Sequence, residues 1–394
     1  MKINNNKCPG CDSFDIQVFY EIHHVPTHRL PLIPTREIAI NDQKGSISLG
    51  FCKTCGFISN IEYEPDKQES FPAYEESHEF FRTCNVFEKH MAHYLIERYD
   101  LHNKKIIEIG CGRGEFLSIL CNTGRNYGIG FDPDYMNGQN SEKKDTTITF
   151  INDFYSEKYA HYQSDLICCR MTLEHIYSTS KFLHTIRNTL GNRKDTIIFF
   201  QVHDIMHTLH KQAFWNIYYE HCSYFSPGSL ARLFRKCGFD VCNIWKDYNN
   251  QYIMLEAKPG KCQNTTVLDI EEYPEDALNS VVHFLNTYKK KINYWKNKLQ
   301  QMKQDNRKVV IWGSDSESVA FLTSLAIQDE IEFVVDTNPY KQGMYMAGTG
   351  QKIVNPDFLQ KYKPDAIIIV NPMYISEIRQ ELYKIGLFTD LVTV

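Results

Sequence analysis

The chain has 394 residues, enough for about two or three domains, and 42% of them are hydrophobic, enough for folded cores. A net charge of −5 excludes the basic footprint of a nucleic-acid binder. No apolar run approaches the roughly 18–20 residues of a membrane span, and the opening MKINNNK has no apolar signal core, so the expectation is a cytoplasmic protein.

The first 70 residues carry two close cysteine pairs, Cys8-x-x-Cys11 and Cys52-x-x-Cys55, with 40 residues between them. Two such knuckles can set four thiolates around a tetrahedral, structural Zn2+ with no open position for catalysis. A redox pair is the alternative reading, and finding two pairs argues against it. Turn residues sit in each knuckle: Pro9-Gly10 inside the first, Gly56 after the second. Ser46–Phe51 alternates Ile47, Leu49 and Phe51 on one face and predicts a strand. His23, His24 and His28 in IHHVPTHRLPL have poor ligand spacing and read as a loop with solvated or substrate-facing histidines. Of the thirteen cysteines, the scattered ones, including Cys168, Cys169 and Cys237, fall in apolar or helical patterns and read as small buried hydrophobes.

Residues 71–258 read as a central domain. Tyr74–Tyr99 is an aromatic-rich lead-in with a helical stripe of Val86, Met91, Tyr94 and Leu95, capped by Asn85 or an earlier polar residue. Lys104–Asp132 then reads as strand, glycine turn, helix, strand. Glu108 lies on the first strand, Gly110, Gly112 and Gly114 make the turn, and Asp132 closes the second strand. An acid about 20 residues past the turn suits ribose hydroxyls in a doubly wound sheet. A dinucleotide fingerprint would need a third glycine where Glu115 stands, and that carboxylate repels a diphosphate but tolerates a cationic sulfonium. Glu108-x-Gly110-x-Gly112-x-Gly114 resembles motif I of class I S-adenosyl-L-methionine (SAM) methyltransferases; NAD, FAD or a ligand-free turn are the rival readings.

Further strands are expected at Thr147–Ile151, Asp165–Cys169 and Thr196–Val202, with Cys242–Trp245 and Tyr252–Ala257 as a terminal antiparallel pair. Ligands in open α/β sheets sit at strand carboxyl ends, so Arg170 to His175 should face the SAM site. Asp153, past the third strand, is a candidate for the adenine edge. Phe214–Phe225, FWNIYYEHCSYF, places six aromatics around Glu220-His221. A histidine beside an acid can act as a general base near neutral pH, and aromatic walls can hold a ring-shaped substrate; the plainer reading is a capping or core histidine. Ser226 and Pro227 suit the N-cap and first position of the next helix, which Gly238 stops.

Residues 259–394 open with the turn-rich KPGKCQNTT. Leu278, Val281, Leu285, Tyr288, Ile292, Trp295, Leu299 and Met302 then alternate steps of three and four, a long helix with one narrow seam. That seam is expected to dock on the chain's own body, with a second subunit as the alternative, giving a monomer or homodimer. Strands at Lys308–Trp312, Glu332–Asp336 and Ala366–Val370, with the helix Val319–Leu325, make a second doubly wound unit. Its turn, GSDSES, has one glycine and two acids and predicts a scaffold rather than a cofactor site.

The order of parts resembles the three-domain SAM-dependent C-methyltransferases of activated deoxysugars: a zinc-binding module, a class I methyltransferase domain and a C-terminal Rossmann-like domain. The resemblance runs over nearly the whole chain through Cys8, Cys11, Cys52 and Cys55; EIGCGRG with GFDP; MTLEH; Tyr218-x-Glu220-His221 with SYFSPGSL; and VVDTNPYKQG with Ile353–Pro356. It implies a small-molecule acceptor, an activated (nucleotide-linked) keto-deoxysugar, methylated at carbon through an enolate. Within it His221 would be the base, Glu220 its orienter and Tyr218 a donor to the enolate or sugar, while Glu108, Gly110, Gly112, Gly114, Asp132, Asp153 and Arg170 would form the SAM site. The GSDSES turn departs from the glycine-rich turn of relatives. O- or N-methyl transfer, and a catalytically silent SAM-binding scaffold, remain the other readings.

Overall fold

The computed structural model describes residues 3–4, 7–28, 32–67, 82–135, 147–260, 266–327 and 329–394. Residues 74–81 of the expected lead-in lie outside them. Among the described residues no helix is long and apolar enough to cross a membrane.

Three sheets organise the chain. The first is antiparallel, in the order Ile3–Asn4, Ile16–Pro26, Lys44–Cys52, Ile58–Asn60 and Ser223–Tyr224. Ile47, Leu49 and Phe51 are buried, as their alternation requires. The first part of the histidine-rich stretch is strand rather than loop: His23 and His24 lie inside the strand Ile16–Pro26, at a register shift where His24 takes φ 61°. The extra residue of a bulge hides this strand from a strict two-residue alternation.

The second sheet has seven strands in the order Phe239–Asp247, Tyr252–Pro259, Ile197–His203, Leu166–Arg170, Lys105–Ile109, Tyr127–Phe131 and Ile148–Ile151. Tyr252–Pro259 pairs antiparallel with both of its neighbours, and the remaining pairs are parallel. This is the doubly wound sheet expected from the glycine turn and the strand spacing. Helix Arg82–Tyr99 covers one face and buries Cys84, Glu88, Met91, Ala92, Leu95 and Ile96. Val86 is 60% exposed, so the expected stripe is out of phase at its start. Asn85 lies within the helix and not at its cap. The free N–H groups of Arg82 and Thr83 instead donate to Glu377 at 2.9 and 3.1 Å, and the Thr83 hydroxyl donates to it at 2.7 Å.

The third sheet is all parallel: Lys352–Val354, Phe333–Val335, Val309–Trp312, Ala366–Ile369 and Asp390–Thr393. In its first turn Asp315 caps the helix Ser316–Leu325 through the Ser318 N–H. Asp336, 1% exposed, accepts from the Ser314 N–H at 2.9 Å and from its hydroxyl, so this acid is engaged by its own turn.

Helix Pro274–Gln304 ties the first and third sheets together. Ala277, Val281, Phe284 and Tyr288 pack with Tyr20 and Phe51 of the first sheet, while Trp295, Leu299 and Met302 join the core of the third. The seam therefore docks on its own chain, and Leu278, Leu285 and Ile292 pack half-buried at its margin.

Candidate active site

Strand Lys105–Ile109 ends in Gly110, Gly112 and Gly114, all with positive φ. A Cβ at Gly110 would sit 2.1 Å from the Thr172 hydroxyl, so only glycine fits there. A Cβ at Gly112 would meet nothing within 4 Å: the turn opens onto space. Asp132 braces this turn, its Oδ2 accepting from the Gly112 N–H at 2.8 Å and its Oδ1 from the Asp134 N–H at 2.9 Å. Glu108 is 2% exposed, and among the described residues its buried Oε2 has no hydrogen-bond partner. Burial pushes the Glu108 carboxyl up to about 8; Arg170 pulls it down and Glu88 adds to the rise. A buried carboxyl with one oxygen unpartnered among the described residues, beside an open glycine turn, fits a ligand with a cationic end, as SAM has in its ammonium and sulfonium groups.

Arg170 comes to the same lip of the sheet. Its guanidinium lies 3.8 Å from the centre of the Phe116 ring, pairs with Glu88 at 3.2 Å and donates to Gln201 at 2.8 Å. Glu88 and Gln201 escaped the sequence reading; an acid at a buried position of the covering helix is the signal that could have found the first. Asp153 lies past the strand Ile148–Ile151, where it bonds Lys158 and, at 2.5 Å, the Tyr159 hydroxyl. Those two bonds hold its carboxyl below the usual range.

The aromatic segment packs against the carboxyl ends of the fourth and fifth strands. Tyr218 Oη lies 2.9 Å from His221 Nε2, and both side chains are buried. His175 and His203 flank His221 with ring centres at 5.0 and 4.8 Å. The Glu220 carbonyl lies 3.1 Å from His175 Nδ1. Thus Tyr218, expected to face the acceptor, sits on the ring nitrogen of His221. The segment continues into Ser223–Tyr224, which pairs with Ile58 and Ser59, and the Asn60 N–H donates to the Cys222 carbonyl. The first sheet therefore frames the segment.

His203 is the second omission, and its partner is Glu174 from the stretch Arg170 to His175. The Glu174 carboxylate, side chain 1% exposed, accepts from the His203 backbone N–H at 2.7 Å and faces its Nδ1 at 3.1 Å. Burial raises this carboxyl, but the hydrogen bond and charge of His203 and the charge of His175 bring it below the usual value. Applying the strand-end rule to the fifth strand, as to the fourth, would have flagged His203.

Cys8, Cys11, Cys52 and Cys55 gather their sulfurs within 4.8 Å of one another, with Cys8–Cys55 at 3.7 Å and Cys11–Cys52 at 3.5 Å. A tetrahedral zinc with bonds of about 2.3 Å needs sulfurs about 3.8 Å apart, so the donor set fits. His23, His24 and His28 are not in the cluster.

A family model described as "Methyltransferase domain" matches residues 85–244, and one described as "C-methyltransferase C-terminal domain" matches residues 254–387. The chain is 23% identical over 286 residues to the C-methyltransferase NovU of Streptomyces niveus, covering 69% of this chain and 67% of that protein. Among solved structures, the magnesium protoporphyrin IX methyltransferase ChlM of Synechocystis PCC 6803 aligns with a TM-score of 0.36 at 14% identity, over 47% of this chain and 89% of that one. A SAM-dependent methyltransferase from Mesorhizobium loti aligns with a TM-score of 0.33 at 14% identity, over 40% and 92%. One family model lies on the seven-stranded sheet and the other on the parallel C-terminal sheet, so the chain is a SAM-dependent methyltransferase that carries a methyltransferase domain followed by a C-methyltransferase C-terminal domain.

Proposed function

We propose that the protein methylates a carbon next to the ketone of a nucleotide-linked keto-deoxysugar, in the cytoplasm. The observation that carries this reading is the Tyr218–His221 pair, 2.9 Å apart at the carboxyl ends of the fourth and fifth strands, where open α/β sheets bind their substrates. A carbon alpha to a ketone is acidic enough to yield to a positioned base. The Tyr218 hydroxyl passes its proton to His221 Nε2 as its oxygen takes the proton from the acceptor carbon. The electron pair of the broken C–H bond moves into the enolate, and the enolate carbon takes the methyl. SAM, when bound, supplies that methyl as an electrophile on a cationic sulfur. Glu220 contributes through its carbonyl, which fixes His175 beside His221. Gly110, Gly112 and Gly114 let the backbone approach SAM, Asp132 receives its ribose hydroxyls, Asp153 its adenine edge, and Glu108 with Arg170 its charged methionine end. The test is deuterium exchange: wild-type protein with S-adenosylhomocysteine (SAH) in D₂O should wash deuterium into the alpha carbon of a keto-sugar acceptor. Methylation of an oxygen or nitrogen without carbon exchange would overturn the enolate.

The raised carboxyl of Glu108 carries its own prediction. Its pKa above the unfolded value means that stability in the absence of SAM is lost as pH rises toward about 8. A bound cation favours the carboxylate, so at pH 7 SAM binding should release a proton. Calorimetry should then give a more exothermic binding enthalpy in Tris than in phosphate, a difference that Glu108→Gln removes. Equal enthalpies in both buffers would take Glu108 out of the site.

We further assign a structural zinc to the four cysteines. Purified protein should carry about one zinc per chain. Cys52→Ser should lose the metal and lower stability more than it lowers the rate of the protein that survives. Metal analysis finding no zinc in protein made under reducing conditions would sink the assignment.

A further inference from the structure

Beside the Tyr218–His221 pair stands a second imidazole that the proton chemistry above does not use. His203 ends the fifth strand. Glu174 Oε1 accepts from both its backbone N–H and its Nδ1, and that carboxylate is buried and ionised. Two hydrogen bonds to one oxygen fix the ring plane and place its proton on Nδ1. Among the described residues no hydrogen bond reaches Nε2. The His203 side chain is 28% exposed, while His221 is 3% exposed, so His203 is the more open of the two rings. Its other neighbours are aromatic: His221 at 4.8 Å and Tyr252, edge-on, at 5.1 Å.

In its neutral form, with the proton held on Nδ1, this imidazole offers one thing at Nε2, a lone pair. It accepts a hydrogen bond and cannot donate one. With its ring centre 4.8 Å from that of His221, the group it reads lies within a bond or two of the carbon that gives up its proton. We infer that His203, positioned by Glu174, is a specificity residue that accepts a hydrogen bond from a hydroxyl or amino group of the acceptor next to the reacting ketone. This rests on the keto-sugar reading and narrows it: the acceptor carries a hydrogen-bond donor on the adjoining carbon. Glu174 is the positioning residue. A site built around such an acceptor rejects substrates lacking the donor, because Nε2 is then buried by substrate and left unpaired.

The test compares two nucleoside-diphosphate keto-deoxyhexoses that differ in one position, a hydroxyl or a hydrogen on the carbon beside the ketone. Wild type should favour the hydroxyl compound by about 100-fold or more in kcat/KM. His203→Ala should bring the two within about threefold, mainly by raising KM for the hydroxyl compound, with SAH affinity unchanged. His203→Gln, whose amide carbonyl can also accept, should recover part of the preference. Glu174→Gln frees the ring proton to sit on Nε2 and should weaken the preference without removing any group that faces the acceptor. Equal use of both compounds by wild type, or a proportional loss on both in His203→Ala, overturns the inference alone. Wild type that binds SAH but turns over neither compound overturns the keto-sugar reading and the inference with it. Methyl transfer onto the hydroxyl oxygen would instead make His203 a base for O-methylation, and both fall.

Discussion

Replacing His221 by alanine is expected to cut turnover by about 10²–10⁴-fold while leaving SAH affinity unchanged. The size follows from what the variant lacks: the base that takes the Tyr218 hydroxyl proton, 2.9 Å from it, as the carbon proton moves onto the Tyr218 oxygen. The unchanged affinity follows from place, because His221 lies past the fifth strand and the glycine turn follows the strand Lys105–Ile109. His221 is buried among His175, His203, Tyr218 and Tyr224, so alanine also leaves a cavity. His221→Gln separates the two effects: it refills the space and can still bond the Tyr218 hydroxyl, but it takes no proton. Single-turnover rates should be as low in Gln as in Ala. A Gln variant that methylates and exchanges deuterium like wild type would make His221 a packing residue.

Asp132→Ala should weaken SAM binding by about tenfold to 100-fold, the value of one or two hydrogen bonds to a charged group. The carboxylate braces the turn through the Gly112 N–H at 2.8 Å, and in the proposed site it also receives the ribose hydroxyls. Titration calorimetry with SAH and with free adenosine tells the two tasks apart. If only the ribose hydrogen bonds go, both ligands weaken by the same factor. A disordered turn costs SAH more, since its methionine end lies over the glycines. Unchanged SAH affinity would remove Asp132 from the site.

Much of this was legible in the sequence, for reasons that are local. The strands of the seven-stranded sheet are short apolar runs, the glycine turn has a fixed spacing, and the long seam repeats over eight positions. The four cysteines come together as their pairing suggested. What escaped the reading depends on partners far along the chain. Ser223–Tyr224 is two residues long and is a strand only because Ile58–Asn60 lies beside it. Arg170 shares its charge with Glu88, 82 positions away, and the helix bearing Glu88 is capped by a residue 294 positions beyond Thr83. Val86 was misplaced because the covering helix buries an acid, Glu88, where a hydrophobicity pattern expects an apolar side chain. His203 was passed over because its Glu174 partner sits on another strand's end, and only the fold joins them.

The cap supplied by Glu377 bears on how this enzyme can be dissected. A fragment ending at the antiparallel strand Tyr252–Pro259 would hold the whole glycine turn and the whole aromatic segment, yet its covering helix would begin with two amide protons that have lost the Glu377 carboxylate. It would also open the junction in which the Tyr248 and Tyr374 hydroxyls meet at 2.9 Å, with the Cys84 sulfur against both. That same helix carries Glu88 to Arg170, so fraying at one end loosens the grip on a charge at the lip of the cofactor cleft. Domain swapping among relatives must therefore carry the C-terminal carboxylate along with the helix it closes, and a graft that keeps only the catalytic sheet inherits the chemistry without the clasp.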